Sequence, residues 1–144
     1  MDCLKTLDMV QIMDQKKHII LIDDEPVIHL SLEMMLFESN YKITSIYDPE
    51  EAIRYIESKD KYDKPDLFIV DLMMGKVSGI DVINFIRGDV YYDNIPVILY
   101  TGHLEVIINE DEMLKKLNIA CVLPKVVDKE HLLEVIIPLL NTSG

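Results

Sequence analysis

The sequence contains little of what marks several common classes of protein. Only two cysteines occur in 144 residues, and neither belongs to a CxxC pair or has a histidine at zinc-ligand spacing. A disulfide framework is therefore not indicated, which suits a reducing cytoplasm. Five glycines and six prolines are too few for a collagen-like chain or a linker. No apolar run approaches the roughly 18 residues of a membrane span, and the N-terminus lacks the apolar segment of a secretory signal, so we expect a cytoplasmic protein.

Basic residues are also scarce. The chain has 14 Lys and Arg against 26 Asp and Glu, a formal net charge of -12 and a pI near 4.6. Binding to a phosphate backbone depends on Lys and Arg, so no direct nucleic-acid partner is expected. An acidic surface also disfavours anionic membranes. Hydrophobic residues make up 49% of the chain, and its length is that of one domain with its own core.

The residues before the first clear strand form a separate short segment. Residues 1–17 are expected to be a helical N-terminal extension, because their apolar residues are loosely spaced as on a helix. These apolar residues are Leu4, Leu7, Met9, Val10, Ile12 and Met13. The remaining residues, 18–144, are expected to form a single domain.

Five short apolar runs alternate with amphipathic segments along that domain. The runs predict strands at 18–22, 42–47, 66–71, 96–100 and 119–123. The segments between and after them predict helices at 27–38, from residue 49, at 80–87, within 104–117, and from about 129 to 140 with an interruption near Pro138. Repeated strand–helix units predict a parallel sheet with helices on both faces. At this length we expect the flavodoxin-like, doubly wound (βα)5 α/β fold, with strand order 2-1-3-4-5.

Polar side chains follow four of the five predicted strands. Asp23 and Asp24 follow the first strand, Asp71 the third, Thr101 the fourth and Lys125 the fifth. In doubly wound sheets, ligands bind beyond the carboxyl ends of the strands. Neighbouring carboxylates repel one another unless a cation compensates them, and a hard ion with oxygen ligands such as Mg²⁺ suits this set.

The same residues suit phosphoryl chemistry. One carboxylate can act as a nucleophile toward a phosphoryl group, while a hydroxyl and an amine hold the phosphoryl oxygens. Each residue alone has a simpler explanation: an Asp pair before a helix is often a cap, a Thr-Gly pair is often a turn, and a Lys is often on the surface. Their joint position at the ends of successive strands favours the functional interpretation.

These motifs resemble a known family. The stretches Asp23-Asp24-Glu25-Pro26, Asp71-Leu72-Met73-Met74, Gly79, Thr101-Gly102 and Lys125 are similar to the signature of response-regulator receiver domains of two-component signalling, over residues 18 to about 141. The resemblance implies that Asp71 accepts a phosphoryl group from a histidine kinase or a phosphotransfer protein. It implies a Mg²⁺ site formed by Asp24, Asp71 and the backbone carbonyl of Met73. Asp23 is then expected to act mainly through a metal-bound water.

The resemblance also implies a phosphoacceptor signalling domain and not an enzyme in the usual sense. Only self-catalysed phosphoryl transfer and slow autodephosphorylation are expected. Thr101 is expected to swing toward the phosphoryl group, and Lys125 to pair with it. Partners implied are a kinase or phosphotransfer protein, and either a downstream protein target or a fused output domain.

Three positions depart from the family pattern. Gly75 replaces the usual Pro, which should loosen the loop after Asp71. Val122 occupies the position of the usual switch aromatic, so the familiar coupling of Thr101 movement to an aromatic ring is not expected. Val126 follows Lys125 where the family usually has a Pro, often with a cis bond.

The histidines carry weaker signals. His103 and Met73 flank the expected phosphoryl position and are candidates for tuning its lifetime, although an exposed loop histidine is the simpler interpretation of His103. The other three histidines, His18, His29 and His131, are expected to be structural or exposed.

Two alternative functions and one assembly remain open. The chain can be a divergent receiver that serves as an interaction scaffold without phosphorylation. A Mg²⁺-dependent aspartyl-phosphate phosphatase of the haloacid-dehalogenase type is less favoured, because such enzymes place a second Asp where this chain has Met73. The last helix is apolar on more than one side, which suggests a homodimer through the final strand and the last two helices.

Overall fold

The computed structural model describes residues 16–58 and 63–141. The strands are β1 His18–Ile22, β2 Lys42–Ile46, β3 Leu67–Asp71, β4 Met73–Met74, β5 Val77–Ser78, β6 Val97–Thr101 and β7 Cys121–Pro124. The helices are α1 Pro26–Met35, α2 Pro49–Ser58, α3 Gly79–Arg87, α4 Leu104–Ile107, α5 Asp111–Lys116 and α6 Lys129–Asn141, and a 3-10 turn spans Phe37–Ser39. The predicted N-terminal helix lies outside the described residues except for its last two positions, and the boundary at residue 18 stays a prediction.

Five of the strands form one parallel sheet in the order β2-β1-β3-β6-β7. When the two-residue strands β4 and β5 are set aside, this is the flavodoxin-like order 2-1-3-4-5, and the predicted fold is confirmed. Ile22 pairs with Val70, and Asp71 pairs with Tyr100. The register therefore brings the carboxyl ends of β1, β3 and β6 to one edge of the sheet.

The sheet separates two hydrophobic cores. The three central strands, β1, β3 and β6, are buried along their whole length, and their successive side chains point to opposite faces. One face packs against α2, α3 and the region of α4 and α5, and the other packs against α1 and α6. Helices on both faces explain why these strands are continuously apolar instead of alternating with polar residues.

Polar side chains cap the first turn of three helices. The carboxylate of Asp48 accepts a hydrogen bond from Glu50 N (2.9 Å), and that of Asp128 accepts one from His131 N (2.7 Å). Ser78 Oγ accepts from Ile80 N at 3.1 Å. Each contact satisfies a backbone N–H that the first helical turn leaves unpaired.

The predicted interruption of the last helix near Pro138 is wrong. Helix α6 runs without a break to Asn141 and contains Pro138. The proline ring is exposed, whereas Ile136 and Leu140 on either side are fully buried in the core. Their burial outweighs the single backbone hydrogen bond that the proline removes.

Two other predicted helices have different ends. The segment within 104–117 forms two short helices, α4 and α5, separated by residues 108–110. Acidic residues in the first turn of α5 and lysines in its last turn favour a new helix beginning at Asp111. The first predicted helix begins one residue earlier and ends three residues earlier than 27–38, and a 3-10 turn follows it.

The predicted loop after Asp71 contains a small hairpin. β4 pairs with β5 antiparallel, so that Met73 lies opposite Ser78 and Met74 opposite Val77. Gly75 in the turn has a φ of 61°, a value that glycine adopts readily and proline cannot. Glycine at this position therefore fits the backbone of the turn, which the family's usual proline does not.

Gly79 lies against the backbone that ends β3. Its N–H donates to Leu72 O at 2.7 Å, and a Cβ placed on it would lie 1.9 Å from the carbonyl oxygen of Asp71. No side chain fits in that space. Glycine here allows α3 to begin directly against the end of β3.

We expect Gly79→Ala to destabilise the fold by about 1–3 kcal/mol, the usual cost of overpacking a close contact. Urea unfolding measures the change. Gly102→Ala is the matched control, because its Cβ would meet only Lys125 Cβ at 3.9 Å and should change the free energy of unfolding by less than about 0.5 kcal/mol. Equal stability of Gly79→Ala and the unmodified protein would contradict the close packing.

None of the helices in residues 16–58 and 63–141 combines the length and the apolar character needed to cross a membrane.

Candidate functional site

Two buried carboxylates lie at the centre of the sheet edge. Asp71 is the last residue of β3, and Asp23 follows β1, the neighbouring strand. Asp23 is fully buried and Asp71 is 3% exposed. The paired register of the two strands brings these side chains together, as the sequence predicts from strand ends alone.

Lys125 compensates both of these charges. Its Nζ lies 2.7 Å from Asp23 Oδ2 and 3.2 Å from Asp71 Oδ1, and its side chain is only 11% exposed. Lys125 directly follows β7, at the outer edge of the sheet, and its N–H donates to Thr101 O at 2.8 Å. A buried ion pair needs good geometry to repay the desolvation of its members, and one amine here serves two carboxylates.

Asp24 completes a cluster of three carboxylates. Ligand atoms of Asp23, Asp24 and Asp71 lie within 4.8 Å of one another. Asp24 is exposed, so the cluster is open to solvent on one side. Oxygen ligands in this number suit a hard divalent cation, and Mg²⁺ usually takes one or two carboxylates and keeps several waters.

The electrostatics of the site raise the affinity of Asp71 for protons. Burial raises the pKa of its carboxyl group, the charge of Asp23 raises it further, and Lys125 and Met73 N oppose this. For Lys125, burial lowers the pKa, but the contacts with Asp23 and Asp71 outweigh it and the pKa is raised overall. Lys125 therefore stays charged, while the site favours a further positive charge near Asp71.

Thr101 lies at the same edge, but its hydroxyl makes no hydrogen bond to the carboxylates of Asp23, Asp24 or Asp71. It is the last residue of β6 and fully buried. Its Oγ1 accepts a hydrogen bond from His103 N at 2.9 Å. The predicted movement of Thr101 toward a phosphoryl group stays a prediction.

The two flanking residues differ in exposure. Met73 is half-exposed, and its backbone N–H faces Asp71 Oδ1 at 3.5 Å, so the backbone of β4 lies next to the carboxylate. His103 is exposed, and its Nδ1 lies 3.3 Å from Glu105 Oε1. The simpler interpretation of His103 as an exposed loop residue agrees with this position, and a role in phosphoryl lifetime stays a prediction.

A buried tyrosine that the sequence analysis missed supports Lys125. Tyr100 is 2% exposed, and its ring centroid lies 5.8 Å from Lys125 Nζ. Its hydroxyl oxygen accepts a hydrogen bond from Val127 N at 3.3 Å. The peptide between Lys125 and Val126 is cis although Val126 is not a proline. The only signal for Tyr100 was an aromatic residue in an otherwise aliphatic buried strand.

The aromatic position that the family uses is filled differently. Val122 lies in β7, pairs with Leu99 and packs, partly buried, against the core between the sheet and helices α2 and α3. A valine has no ring to rotate, and Tyr100 lies on the opposite face of the sheet. The buried tyrosine therefore does not replace the family's aromatic in the same place.

His29 also contacts the site, although the sequence suggested only a structural or exposed residue. It is 1% exposed in α1, and its Nε2 lies 2.6 Å from the carbonyl oxygen of Asp23. Of the other two histidines in that group, His18 is buried at the far end of β1 and His131 is exposed.

The chain matches a known family over most of its length. The family model described as the response regulator receiver domain matches residues 19–137. A probable transcriptional regulator, ycf27, of Porphyridium aerugineum is 35% identical over 88 residues, which is 61% of this chain and 34% of that protein. The alkaline phosphatase synthesis transcriptional regulatory protein PhoP of Bacillus subtilis is 37% identical over 71 residues, 49% of this chain and 28% of that protein. The matched region thus spans about a third of the length of these relatives.

Solved structures share the fold. The receiver domain of the sensor histidine kinase PA1611 from Pseudomonas aeruginosa, with a magnesium ion coordinated in its active-site cleft, has a TM-score of 0.73 at 20% identity, covering 88% of this chain and 99% of that one. The chemotaxis protein CheY4 of Vibrio cholerae has a TM-score of 0.73 at 20% identity, covering 86% and 98%. At this level of identity the likeness concerns the fold alone. The family model, the parallel sheet and the acidic cluster at its edge agree, and the chain belongs to the response regulator receiver domain family.

Proposed function

We propose that this domain is a signalling switch in which Asp71 accepts a phosphoryl group in a Mg²⁺-dependent reaction. The observation that carries the proposal is the position of the Asp71 carboxylate, which is buried between a second carboxylate and Lys125 at an edge open to solvent through Asp24. Phosphoryl acceptance is also the general role of the family.

The transfer needs little covalent chemistry from the protein. A carboxylate oxygen of Asp71 forms a bond to phosphorus, while the bond from phosphorus to the donor atom breaks and its electron pair leaves with the donor. Lys125, already 3.2 Å from Asp71 Oδ1, is suited to hold a phosphoryl oxygen. The hydroxyl of Thr101 is the second candidate from the neighbouring strand. Catalysis then depends on positioning and charge neutralisation.

The three carboxylates fit a Mg²⁺ ion. Asp23, Asp24 and Asp71 offer oxygen ligands within 4.8 Å of one another, and the backbone carbonyl of Met73 is the proposed further ligand. A bound Mg²⁺ ion supplies positive charge to the phosphoryl oxygens. Of the three carboxylates, Asp23 is fixed by Lys125, Asp71 is the proposed nucleophile, and Asp24 is exposed to solvent.

The donor is proposed to be a histidine kinase or a histidine phosphotransfer protein, and the site acts through protein contacts with a downstream target or a fused output domain. Relatives of about three times the matched length are named as transcriptional regulators, which supports an output domain or partner outside this region. The net charge of -12 argues against direct binding of nucleic acid by this domain. The cytoplasm, the usual setting of the family, is the proposed location.

A homodimer through the last strand and the last two helices is also proposed, although α6 offers less exposed apolar surface for it than the sequence suggests. Most apolar residues of α6 pack into the core that this helix and α1 form with the sheet, including Leu132, Ile136 and Leu140. On α6, Ile137 remains 40% exposed beside Leu133, so this helix itself presents a smaller apolar surface than the sequence suggests. Sedimentation at several concentrations, with and without a phosphoryl mimic, tests the dimer.

We expect Asp71 to be phosphorylated by a small-molecule donor. With Mg²⁺ and acetyl phosphate, intact mass should show one phosphoryl adduct on the unmodified protein, and EDTA should abolish it. Asp71→Asn removes the nucleophile and should give no adduct. Asp66→Asn is the control and should be phosphorylated normally. Asp66 lies at the opposite end of β3, where its carboxylate accepts a hydrogen bond from His18 N.

The absence of an adduct with several donors would overturn the proposal and favour an unphosphorylated interaction scaffold. Continuous hydrolysis of a simple phosphomonoester would instead favour the phosphatase alternative.

We expect the ionised carboxylate of Asp71 to destabilise the folded protein when no metal ion is bound. Because burial and Asp23 raise the pKa of folded Asp71, its ionisation destabilises the folded state increasingly as the pH rises above the ordinary carboxyl range. Asparagine cannot ionise, so in EDTA at pH 7 Asp71→Asn should melt about 3–5 °C higher. The difference in melting temperature between Asp71→Asn and the unmodified protein should become smaller as the pH falls toward the ordinary pKa of a carboxyl group.

Adding Mg²⁺ should raise the melting temperature of the unmodified protein, because the ion binds only the folded state, and should have little effect on Asp71→Asn. Asp24→Asn is the matched control, and its rise in EDTA should be smaller because Asp24 is exposed. A lower melting temperature for Asp71→Asn than for the unmodified protein in EDTA would contradict this account.

A further inference from the structure

We propose that His29 is a positioning residue for the metal-binding carboxylates, acting through the peptide between Asp23 and Asp24. The inference deepens the proposed function and rests on it. His29 lies in α1, and no step of the proposed transfer uses it. Its 2.6 Å contact with the carbonyl oxygen of Asp23 is the starting observation.

The carbonyl oxygen of Asp23 determines which ring nitrogen of His29 carries the hydrogen. A carbonyl oxygen only accepts, so Nε2 carries the hydrogen and donates it to Asp23 O. The ring is 1% exposed, so water does not compete for this bond. Nδ1 is buried and has no hydrogen-bond partner among the described residues. Within the described part of the chain, the bond through Nε2 is therefore the one hydrogen bond that orients the ring.

An aromatic contact holds the ring in this orientation. The rings of His29 and Tyr47 have centroids 4.1 Å apart and are tilted by 40°. Tyr47 directly follows β2, whose last residue, Ile46, accepts a hydrogen bond from Asp23 N at 3.1 Å. The end of β2 thus supports both His29 and the backbone N–H of Asp23.

Asp23 is fixed at each of its four polar atoms. The backbone N–H donates to Ile46 O, and the backbone carbonyl accepts from His29. Oδ1 accepts from Glu25 N at 2.9 Å, and Oδ2 pairs with Lys125. Of these four contacts, the one from His29 is the only one made by a side chain of α1. It joins the helix that follows the acidic pair to the pair itself.

Asp24 has no such support of its own. It is exposed, and its carboxylate makes no hydrogen bond or ion pair within the part of the chain that the structure describes. The position of its carboxylate, within 4.8 Å of those of Asp23 and Asp71, therefore depends on the backbone around Asp24. The carbonyl of Asp23 belongs to the same rigid peptide unit as the N–H of Asp24. By holding that carbonyl, His29 fixes the direction in which the chain presents Asp24.

A buried histidine that only fills the core would have the same burial but no effect on the metal. The two roles separate in the Mg²⁺ affinity. Residues that orient metal ligands typically change affinity by 10- to 100-fold when replaced, whereas a core residue changes the stability of the fold and leaves the affinity alone.

The test is the Mg²⁺ dissociation constant of the full chain, measured by calorimetry without any phosphoryl donor. His29→Met removes the donor and should weaken Mg²⁺ binding by about tenfold. His29→Gln keeps an N–H donor at nearly the same distance along the side chain and should recover most of the affinity, although both variants lose the ring contact with Tyr47. A second readout is the Mg²⁺ concentration that gives half-maximal phosphorylation by acetyl phosphate. It should rise by the same factor in His29→Met, with an unchanged rate at saturating Mg²⁺.

His18 provides a matched control. It is a buried histidine at the opposite end of β1, with its Nε2 2.7 Å from Thr44 Oγ1. His18→Met should lower the stability of the fold without changing the Mg²⁺ dissociation constant. A parallel loss of affinity in His18→Met would mean that loss of stability alone weakens the site, and would overturn the proposal.

The failures of the two proposals are distinguishable. If the unmodified protein binds Mg²⁺ and His29→Met binds it equally well, or if His29→Gln is as weak as His29→Met, the inference about His29 is wrong and the proposed function stands. If the unmodified protein binds no Mg²⁺, both are wrong.

Should His29→Met not fold, a Mg²⁺ titration of the unmodified protein by NMR gives the answer. The His29 Nε2–H resonance should shift with the same midpoint as the Asp24 amide, and an unshifted resonance would overturn the proposal.

Discussion

The contact of Lys125 with two buried carboxylates is the interaction on which the site depends. Asp23 and Asp71 lie side by side with almost no exposure, and two like charges in such a place destabilise the fold unless a cation accompanies them. The amine of Lys125, 2.7 and 3.2 Å away, supplies one positive charge for two negative ones. The remaining negative charge, together with that of Asp24, creates the demand for a divalent ion. This charge imbalance supports the proposed binding of Mg²⁺ and a phosphoryl group at the site.

The sheet supplies this arrangement through its register. Parallel strands end at one edge, and the pairing of Ile22 with Val70 brings the residues that follow β1 and β3 next to each other. Two close backbone approaches then keep them there. Gly79 lies against the carbonyl of Asp71, and His29 holds the carbonyl of Asp23. The buried strands provide stiffness, and the charged residues stand just beyond them, where a ligand can enter.

The sequence was sufficient to predict the fold and the clustering of three carboxylates and Lys125 at one edge of the sheet. Period and length of the apolar runs predict parallel strands, and the strand order follows from repeated strand–helix units. The carboxylates and Lys125 were identified because each lies at or just beyond the carboxyl end of a strand. The supporting contacts were not predictable in this way. Tyr100 and His29 act through hydrogen bonds to backbone atoms, which depend on distances between elements and leave no pattern along the chain. The same holds for α6, where core burial on both sides of Pro138 overrides a local signal.

The departures from the family pattern concern the surroundings of the site and leave its charges intact. Gly75 accompanies a turn with positive φ in the hairpin after Asp71, a geometry closed to the family's proline. Val122 leaves the usual aromatic position without a ring, while Tyr100 binds the backbone N–H of Val127 beyond Lys125. The residues proposed to receive and hold a phosphoryl group are therefore distinct from those that the family uses to transmit its presence. Because a ligand shifts a conformational equilibrium only by its differential affinity for the two states, a receiver can keep the first set and still differ in how strongly it switches. In this chain the second set has changed, so any conformational response to a phosphoryl group must use contacts other than the Thr–aromatic pair of the family.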